Sequence, residues 1–297
     1  MSFNEGASLD TSQVTSGGGG RTGAVVGGGV GGLVILLISL FLSGGSGGSD
    51  VNLNDILTGG TQSSSVDTSQ CKTGADANRD DVCRIIGTVN SVQDYWKDAL
   101  PADVQRNYQD ATTVIYAGQT QSACGTASNA TGPFYCPSDQ RVYIDASFFT
   151  ELTSKFGADG GPLAQEYVVA HEYGHHVQDL LGILSKGQDG KTGPQSGGVR
   201  IELMADCLAG VWANHASSTK DASGNTLLKP LTDADIKSAL SAAAAVGDDH
   251  IQSTLGGGRV NQETWTHGSS ASREKWFTNG YKSGNLNTCD TFATNDL

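Results

Sequence analysis

Basic residues are scarce in this sequence, and they form no cluster. The 297-residue chain has 18 lysines and arginines against 31 aspartates and glutamates, a formal net charge of −13. The acidic residues are spread along the chain, which is typical of a soluble surface. This balance argues against a nucleic-acid-binding surface, which is usually basic, and no polybasic segment is present to bind anionic lipid. We therefore expect no nucleic acid among the partners.

Charged residues are absent from residues 23–42, and the second half of this stretch is strongly apolar. About 20 such residues can span the core of a bilayer. A cleaved secretory signal is the alternative, but it would normally begin with a short basic region and end at a small-residue cleavage site. Here Glu5 and Asp10 come first, and Arg21 is the only early basic residue. We predict a retained transmembrane helix that anchors the protein to a membrane.

The basic residues on either side predict the orientation of this anchor. Arg21 precedes it and the next basic residue is Lys72, so the positive-inside bias places the N-terminus in the cytoplasm. The chain then divides into a disordered cytoplasmic tail at 1–22, a transmembrane anchor at 23–42, a Gly/Ser-rich linker at 43–66 and a folded domain at 67–297. That domain would lie outside the cytoplasm, at the cell surface or in the periplasm, as part of a single-pass membrane protein.

No two cysteines are spaced as CxxC, so a thiolate zinc site is not expected. All six cysteines follow the apolar stretch, and an even number in an exported region indicates disulfides. Six cysteines allow many connectivities. We predict the pairs Cys71–Cys83, Cys124–Cys136 and Cys207–Cys289, because the first four cysteines are close in sequence.

Hydrophobic periodicity predicts an α+β domain with a small β-sheet and several helices. Strands are predicted at 112–116 and 141–145, which are rich in β-branched and aromatic residues. Helices are predicted around 92–100, ending before Pro101, from Pro162 through His171, at 199–215, and between Thr232 as N-cap and Gly247. No internal repeat is present.

Residues 171–175 read His-Glu-Tyr-Gly-His, the HExxH pattern. Two imidazoles four residues apart project from adjacent helical turns and can reach one metal ion, while Glu172 lies beside that ion without having to bind it. Two ordinary surface histidines are the structural alternative. A catalytic zinc site also needs a third protein ligand and an open position. The metzincin continuation is excluded, because positions 178 and 181 hold Gln178 and Leu181.

Glu202 is the candidate for the third ligand, and Asp206 is the candidate for a carboxylate that orients one of the ligand histidines. They lie at i and i+4 on one face of a predicted helix. Glu202 can bind zinc while Asp206 accepts a hydrogen bond from a ligand imidazole. A solvated acidic face is the alternative, yet this helix is otherwise largely apolar, and two carboxylates there are costly unless they are paired or metal-bound. We predict Zn²⁺ as the cofactor, bound by His171, His175 and Glu202.

With these motifs the sequence resembles the putative neutral zinc metallopeptidase family of membrane-anchored bacterial proteins. The likeness runs from about residue 71 to 292 and rests on the segments 123–125, 132–137, 142–145, 171–178, 202–207, 242–249 and 266–270. It implies a zincin-like fold similar to the gluzincins, with His171, His175 and Glu202 as ligands and Glu172 as general base. By likeness to thermolysin-like enzymes, His267 is the candidate for stabilising the charge that develops on the scissile carbonyl. His215 and His250 are the competing candidates, and capping of the following helix is the structural alternative for His267.

The function expected is hydrolysis of a peptide or protein substrate, which an edge strand within 134–145 would align. A plain core hairpin closed by Cys124 and Cys136 is the alternative for this stretch. The alternative is a catalytically silent zincin-like domain that binds an extracytoplasmic partner or a cell-wall component. We expect His176 not to bind the metal, and Asp248, Asp249 and His250 to form a hydrogen-bonding network at a helix terminus. The sequence leaves the oligomeric state open.

Overall fold

The computed structural model describes residues 2–17, 65–221 and 223–297. These residues form eight α-helices, a four-stranded sheet and a two-stranded hairpin. The strands are β1 (Val14–Ser16), β2 (Thr112–Tyr116), β3 (Gln119–Ser122), β4 (Gly125–Ser128), β5 (Phe134–Cys136) and β6 (Arg141–Asp145). The helices are α1 (Gly74–Ala77), α2 (Asp81–Val104), α3 (Phe148–Ser154), α4 (Pro162–Leu180), α5 (Gly197–His215), α6 (Asp233–Ala245), α7 (Asp248–Thr254) and α8 (Ser270–Ser283). The predicted α+β class is confirmed.

The main sheet has the strand order β1-β2-β6-β5. Strands β1, β2 and β6 run parallel, and β5 pairs antiparallel with β6. The two predicted strands have the predicted bounds as β2 and β6, because their β-branched and aromatic residues suit a buried, pleated surface. Strand β5 lies at an edge of the sheet, where it borders the cavity described below.

The helices that carry the predicted site begin where the sequence signals them. Pro162 occupies the first turn of α4, and the side chain of Ser196 accepts a hydrogen bond from the backbone of Val199 at the start of α5. Thr232 caps α6 as predicted. The prediction that α2 ends before Pro101 is wrong, since the helix continues to Val104. A proline in the last turn removes only one helical hydrogen bond.

All three predicted disulfides are present. Cys71 is bonded to Cys83, Cys124 to Cys136 and Cys207 to Cys289. The second joins the β3–β4 hairpin to strand β5, and the third joins α5 to the C-terminal segment after α8. Cys207 and Cys289 are 82 residues apart in the sequence.

Residues 2–17 belong to the folded domain. Phe3 is fully buried, and Val14, Thr15 and Ser16 of β1 pair in register with β2. The side chain of Asn90 on α2 exchanges two hydrogen bonds of 2.9 Å with the backbone of Asp10. The prediction of a disordered tail over 1–22 is therefore wrong for residues 2–17, whose few apolar side chains are buried by distant parts of the chain.

This packing also bears on the predicted membrane topology. A single crossing within residues 23–42 would separate residues 2–17 from the rest of the domain by a bilayer. The described contacts join them in one folded unit, so a cytoplasmic N-terminus and an extracytoplasmic domain are incompatible with this structure. The stretch 23–42 itself and the linker lie outside the described residues, and the anchor stays a prediction. In the part of the chain that the structure describes, no helix is long and apolar enough to span a membrane.

Candidate metal centre

The centre is built where α4 and α5 pack against each other. Gly174 of the HExxH segment faces α5 so closely that a Cβ atom there would lie 3.0 Å from the Cα atom and the carbonyl oxygen of Ala205. Contacts this short with backbone atoms would require α5 to shift by a few tenths of an ångström. The absence of a side chain at Gly174 therefore lets Glu202 of α5 approach the two histidines of α4.

The three predicted ligand atoms converge. The Nε2 atom of His171 lies 3.2 Å from Oε2 of Glu202, and Nε2 of His175 lies 3.5 Å from Oε1 of the same carboxylate. The ligand atoms of all three residues lie within 4.8 Å of one another. Metal–ligand bonds of about 2.0–2.2 Å in a tetrahedron place two ligand atoms roughly 3.3–3.6 Å apart. The donor set and its spacing fit zinc.

The other ring nitrogen of each histidine fixes its tautomer. Nδ1 of His171 lies 2.8 Å from Oδ1 of Asp206, and Nδ1 of His175 lies 2.9 Å from Oε1 of Gln178. Carboxylate and amide oxygens only accept hydrogen bonds, so both Nδ1 atoms carry protons. When the rings are neutral, the lone pairs on both Nε2 atoms are therefore free to bind a metal. Gln178 is itself held in place, since its amide donates to the carbonyl oxygen of Ile201 at 2.7 Å.

Asp206 is fully buried and accepts hydrogen bonds from several side chains. The hydroxyl of Tyr167 donates to Oδ1 at 2.5 Å, and the guanidinium of Arg273 donates to both oxygens at 2.9 Å. Burial alone would raise the pKa of Asp206, but Arg273 and His171 outweigh it and hold the pKa below 3.8. Asp206 is therefore a fixed anion beside the His171 ring.

The charges of the ligands are strongly coupled. Burial would lower the pKa of His171, but Asp206 and Glu202 outweigh it and raise the pKa to about 10 in the absence of a metal. Burial would raise the pKa of Glu202, but His175 and His171 outweigh it and lower the pKa below its usual value. A divalent cation would replace the positive charge that the histidines otherwise provide to this carboxylate.

Glu172 lies beside the ligands at the wall of a cavity of about 310 Å³. Only 8% of its surface is exposed, and this burial raises the pKa of its carboxyl group above 4.5. The cavity wall also includes residues of β5, α3, α4, α5 and the segments that flank α7. Its apolar members include Phe134, Phe148, Phe156, Val168, Leu184, Ile201, Val246 and Ile251. Its polar members include the two predicted ligand histidines, Glu202, His267, Arg273 and Lys191.

His267 lies at this cavity, on the segment that leads into α8. Its Nδ1 atom is 3.2 Å from Oδ1 of Asp248, and the other oxygen of Asp248 accepts the backbone N–H groups of Thr266, His267 and Gly268 at 2.7–2.8 Å. The predicted network at the start of α7 is present for Asp248 and for Asp249, whose Oδ1 accepts the backbone N–H and the hydroxyl of Ser270 at 2.7 and 2.8 Å, but it does not include His250. His250 lies elsewhere, with Nε2 2.8 Å from the carbonyl oxygen of Phe156.

Gln178, Tyr167 and Arg273 had no predicted role in the site. For Gln178 a signal was available, because it lies three residues after His175 on the same helix face. Tyr167 and Arg273 are distant from Asp206 in sequence, and no local pattern marks them. His176, which was not expected to be a ligand, is buried, with its ring nitrogens near the hydroxyl of Tyr135 and the carbonyl oxygen of Gln109.

Comparison with known proteins identifies the family to which the chain belongs. The profile of the family described as "Putative neutral zinc metallopeptidase" matches residues 5–292. The chain belongs to this family. The match begins within the N-terminal segment that packs on the domain, and it includes both helices of the metal centre.

The relatives of this zinc metallopeptidase family member are uncharacterized proteins. The protein Rv2575 of Mycobacterium tuberculosis is 53% identical over 298 residues, with all of both chains covered. The protein Mb2605 of Mycobacterium bovis has the same identity and coverage. The protein YpfJ of Escherichia coli K12 is 38% identical over 249 residues, which cover 82% of this chain and 81% of the relative. No solved structure matches the chain. The family implies zinc, and the His171, His175 and Glu202 cluster could hold it.

Proposed function

We propose that this chain is a peptidase that hydrolyses peptide bonds, with Zn²⁺ held by His171, His175 and Glu202 and with Glu172 as general base. The observation that carries the proposal is the convergence of two Nε2 atoms on one buried carboxylate, with both Nδ1 atoms engaged by acceptors. Three protein ligands beside an open cavity are typical of catalytic rather than structural zinc sites.

Zinc bound at this site would polarise the scissile carbonyl and lower the pKa of a water molecule toward about 7. The side chains perform the proton transfers. Glu172, whose pKa is raised by burial, accepts the proton of the attacking water and delivers it to the leaving amine. The water oxygen forms a C–O bond to the carbonyl carbon, and negative charge develops on the carbonyl oxygen. The C–N bond then breaks as the carbonyl re-forms and the nitrogen takes the proton from Glu172, so the products are a carboxylic acid and an amine.

His267 is the proposed donor to the oxygen of the scissile carbonyl. Burial would lower its pKa, but the hydrogen bond to Asp248 outweighs this and raises the pKa above 6.5. The protonated ring can donate from Nε2 while Nδ1 remains bonded to Asp248. A positioned donor of this kind stabilises the negative charge that develops in the transition state.

The substrate proposed is an extended peptide or protein segment. Strand β5 lies at the edge of the main sheet and contributes Phe134 and Tyr135 to the cavity wall. An extended chain can pair with such an edge by main-chain hydrogen bonds. The apolar wall of the cavity would accept an apolar side chain next to the scissile bond.

The test is Glu172→Gln, compared with the wild type for zinc content and for cleavage of an unbiased peptide mixture. Zinc content should be unchanged and turnover nearly lost, because an amide cannot accept the proton. Glu263→Gln, on an exposed segment, is the matched control and should retain activity. Undiminished hydrolysis by Glu172→Gln would disprove the mechanism. A zinc-loaded wild type that cleaves nothing would instead support the silent, partner-binding alternative.

A further inference from the structure

Arg273 is a buried cation that links α8 to the metal centre. Only 3% of its side chain is exposed. Its Nε and Nη2 atoms donate to the two oxygens of Asp206, both at 2.9 Å, in the two-pronged geometry that a guanidinium alone can provide. Its Nη1 atom donates to the carbonyl oxygen of Val246 at 3.2 Å, and Nη2 lies 3.2 Å from the hydroxyl of Tyr167. The guanidinium plane is thus fixed on several sides.

These contacts determine where the Asp206 carboxylate points. Oδ1 of Asp206 is the atom that accepts the Nδ1–H of His171, and the fork of Arg273 fixes the rotation of that carboxylate. Without the fork, Tyr167 and His171 both bond to Oδ1, and Oδ2 has no partner among the described side chains. The carboxylate could then rotate and lose its alignment with the imidazole.

Close packing of α5 and α8 brings Arg273 into reach. A Cβ atom on Gly280 would lie 1.9 Å from the carbonyl oxygen of Cys207, and one on Gly210 would lie 2.1 Å from the carbonyl oxygen of Phe277. The two backbones therefore touch where these glycines meet. Arg273 lies seven residues before Gly280, and Asp206 four residues before Gly210, so each shares a helix face with its glycine.

We propose that Arg273 is a positioning residue that acts through Asp206 to orient His171, and that it thereby sets the affinity of the site for zinc. The proposal rests on the proposed function only in taking zinc as the metal. Nη2 of Arg273 lies 3.4 Å from Nδ1 of His171, but both atoms carry protons, so no hydrogen bond forms between them. The nearest approach of Arg273 to Glu202 is 4.0 Å. Its effect on the metal is therefore routed through the carboxylate.

Two opposing effects have to be separated. Removing the positive charge of Arg273 would itself favour a divalent cation nearby, whereas losing the fork would disfavour it. Arg273→Lys keeps the charge and removes the planar fork, so it isolates the positioning effect. Changes to groups that orient a zinc-bound histidine typically weaken metal affinity about 10- to 100-fold.

The experiment measures the zinc dissociation constant of the purified full chain, by competition with a chromophoric chelator, for the wild type, Arg273→Lys, Asp206→Asn and the double variant. Thermal unfolding of each metal-free protein is followed by circular dichroism. We expect Arg273→Lys to weaken zinc binding about 10-fold or more. In the Asp206→Asn background the same change should have an effect of less than about threefold, because residues that act through one another are not additive.

Arg84→Lys is the matched control. Arg84 is also largely buried, with 12% of its side chain exposed, and it bonds to Asp81 and Gln165 rather than to the centre. The zinc affinity of the Arg84→Lys variant should therefore equal that of the wild type. An unchanged zinc affinity in Arg273→Lys, with or without a lowered Tm, would overturn the inference, as would an equal loss in both backgrounds. A wild type that binds no zinc would remove the proposed function as well.

Discussion

One carboxylate oxygen of Asp248 accepts three consecutive backbone N–H groups, including that of His267, while the other lies 3.2 Å from Nδ1 of the same histidine. Asp248, the first residue of α7, thus holds the backbone of the segment that leads into α8 and also the side chain of His267. Side-chain rotation of His267 is restricted without any contact to the predicted metal ligands. This relationship makes the role of His267 testable separately from metal binding.

His267→Ala should reduce turnover while leaving zinc content and peptide affinity near the wild-type values. Loss of one donor to a developing oxyanion costs on the order of 100- to 1000-fold in turnover. His250→Ala is the control, because His250 lies on α7 and bonds to the carbonyl oxygen of Phe156. Steady-state kinetics and metal analysis on both variants decide the matter. Unchanged turnover in His267→Ala would remove this residue from the catalytic set.

Asp248→Asn should destabilise the domain in a pH-dependent way. Burial would raise the pKa of Asp248, but its bonds to His267 and to the backbone lower it below 3.8, so the stabilisation is present above pH 3.8 and is lost as the pH falls further. Burial would lower the pKa of His267, but Asp248 raises it above 6.5. Its contribution is full below pH 6.5 and is lost as the pH rises through the folded pKa.

The difference in Tm between the wild type and Asp248→Asn should therefore be largest between pH 3.8 and 6.5. An unsatisfied buried N–H group costs about 1–3 kcal/mol, and we expect Asp248→Asn to lower the free energy of unfolding by an amount of this order. Asp290→Asn is the control, since Asp290 is an exposed residue that accepts the N–H of Phe292. A Tm difference that is constant from pH 3 to 9 would show that the pair does not titrate as described.

The residues of the candidate metal centre were largely predictable because their signals are local. His171 and His175 follow from a four-residue spacing, and Glu202 and Asp206 follow from two carboxylates on an otherwise apolar helix. Arg273 was not predictable in this way, because it meets Asp206 across 67 residues of sequence. The local sequence around a single arginine on a polar helix does not indicate that its side chain is buried. Only the close contact of α5 and α8 brings it to the centre.

Strands β2 and β6 and helices α4, α5 and α6 were predictable for a similar reason, and the fold of residues 2–17 was not. Strands β2 and β6 are rich in β-branched and aromatic residues, whereas β1 has three residues in a Gly/Ser-rich context. Its parallel pairing with β2 spans about 100 residues of sequence. Composition indicates disorder for such a segment, and long-range pairing overrides that local preference.

Gly174→Ala should weaken zinc binding although position 174 is not a ligand. The added Cβ would lie 3.0 Å from the Cα atom and the carbonyl oxygen of Ala205, so α5 would have to move and carry Glu202 away from His171. Gly6→Ala is the control, since no atom lies within 4 Å of a Cβ built there. The measurement is zinc affinity by chelator competition. Wild-type affinity in Gly174→Ala would show that the helix spacing does not set the ligand geometry.

Phe3→Ala should destabilise the whole domain. Phe3 is fully buried, and a Cβ on Gly87 of α2 would lie 2.5 Å from its ring, so the ring fills a space that α2 leaves open. Truncation of a buried phenylalanine typically costs about 3–5 kcal/mol. Thr15→Ala, an exposed position in β1, should cost much less. Chemical denaturation gives both values. Equal stability of Phe3→Ala and the wild type would contradict the packing of residues 2–17.

The last prediction concerns the side of the membrane on which each part of the chain lies. Because β1 pairs with β2, residues 2–17 and the rest of the domain must share one compartment, whatever residues 23–42 do. The three disulfides indicate an oxidising one. Thr11→Cys and Ala234→Cys place single thiols at exposed positions in the two parts. In intact spheroplasts, a membrane-impermeant maleimide should label both variants equally, and the wild type, whose six cysteines are paired, should remain unlabelled. If Ala234→Cys were labelled in intact spheroplasts and Thr11→Cys only after lysis, the two parts would lie on opposite sides of the membrane. That result would support a single membrane crossing and contradict the pairing of β1 with β2.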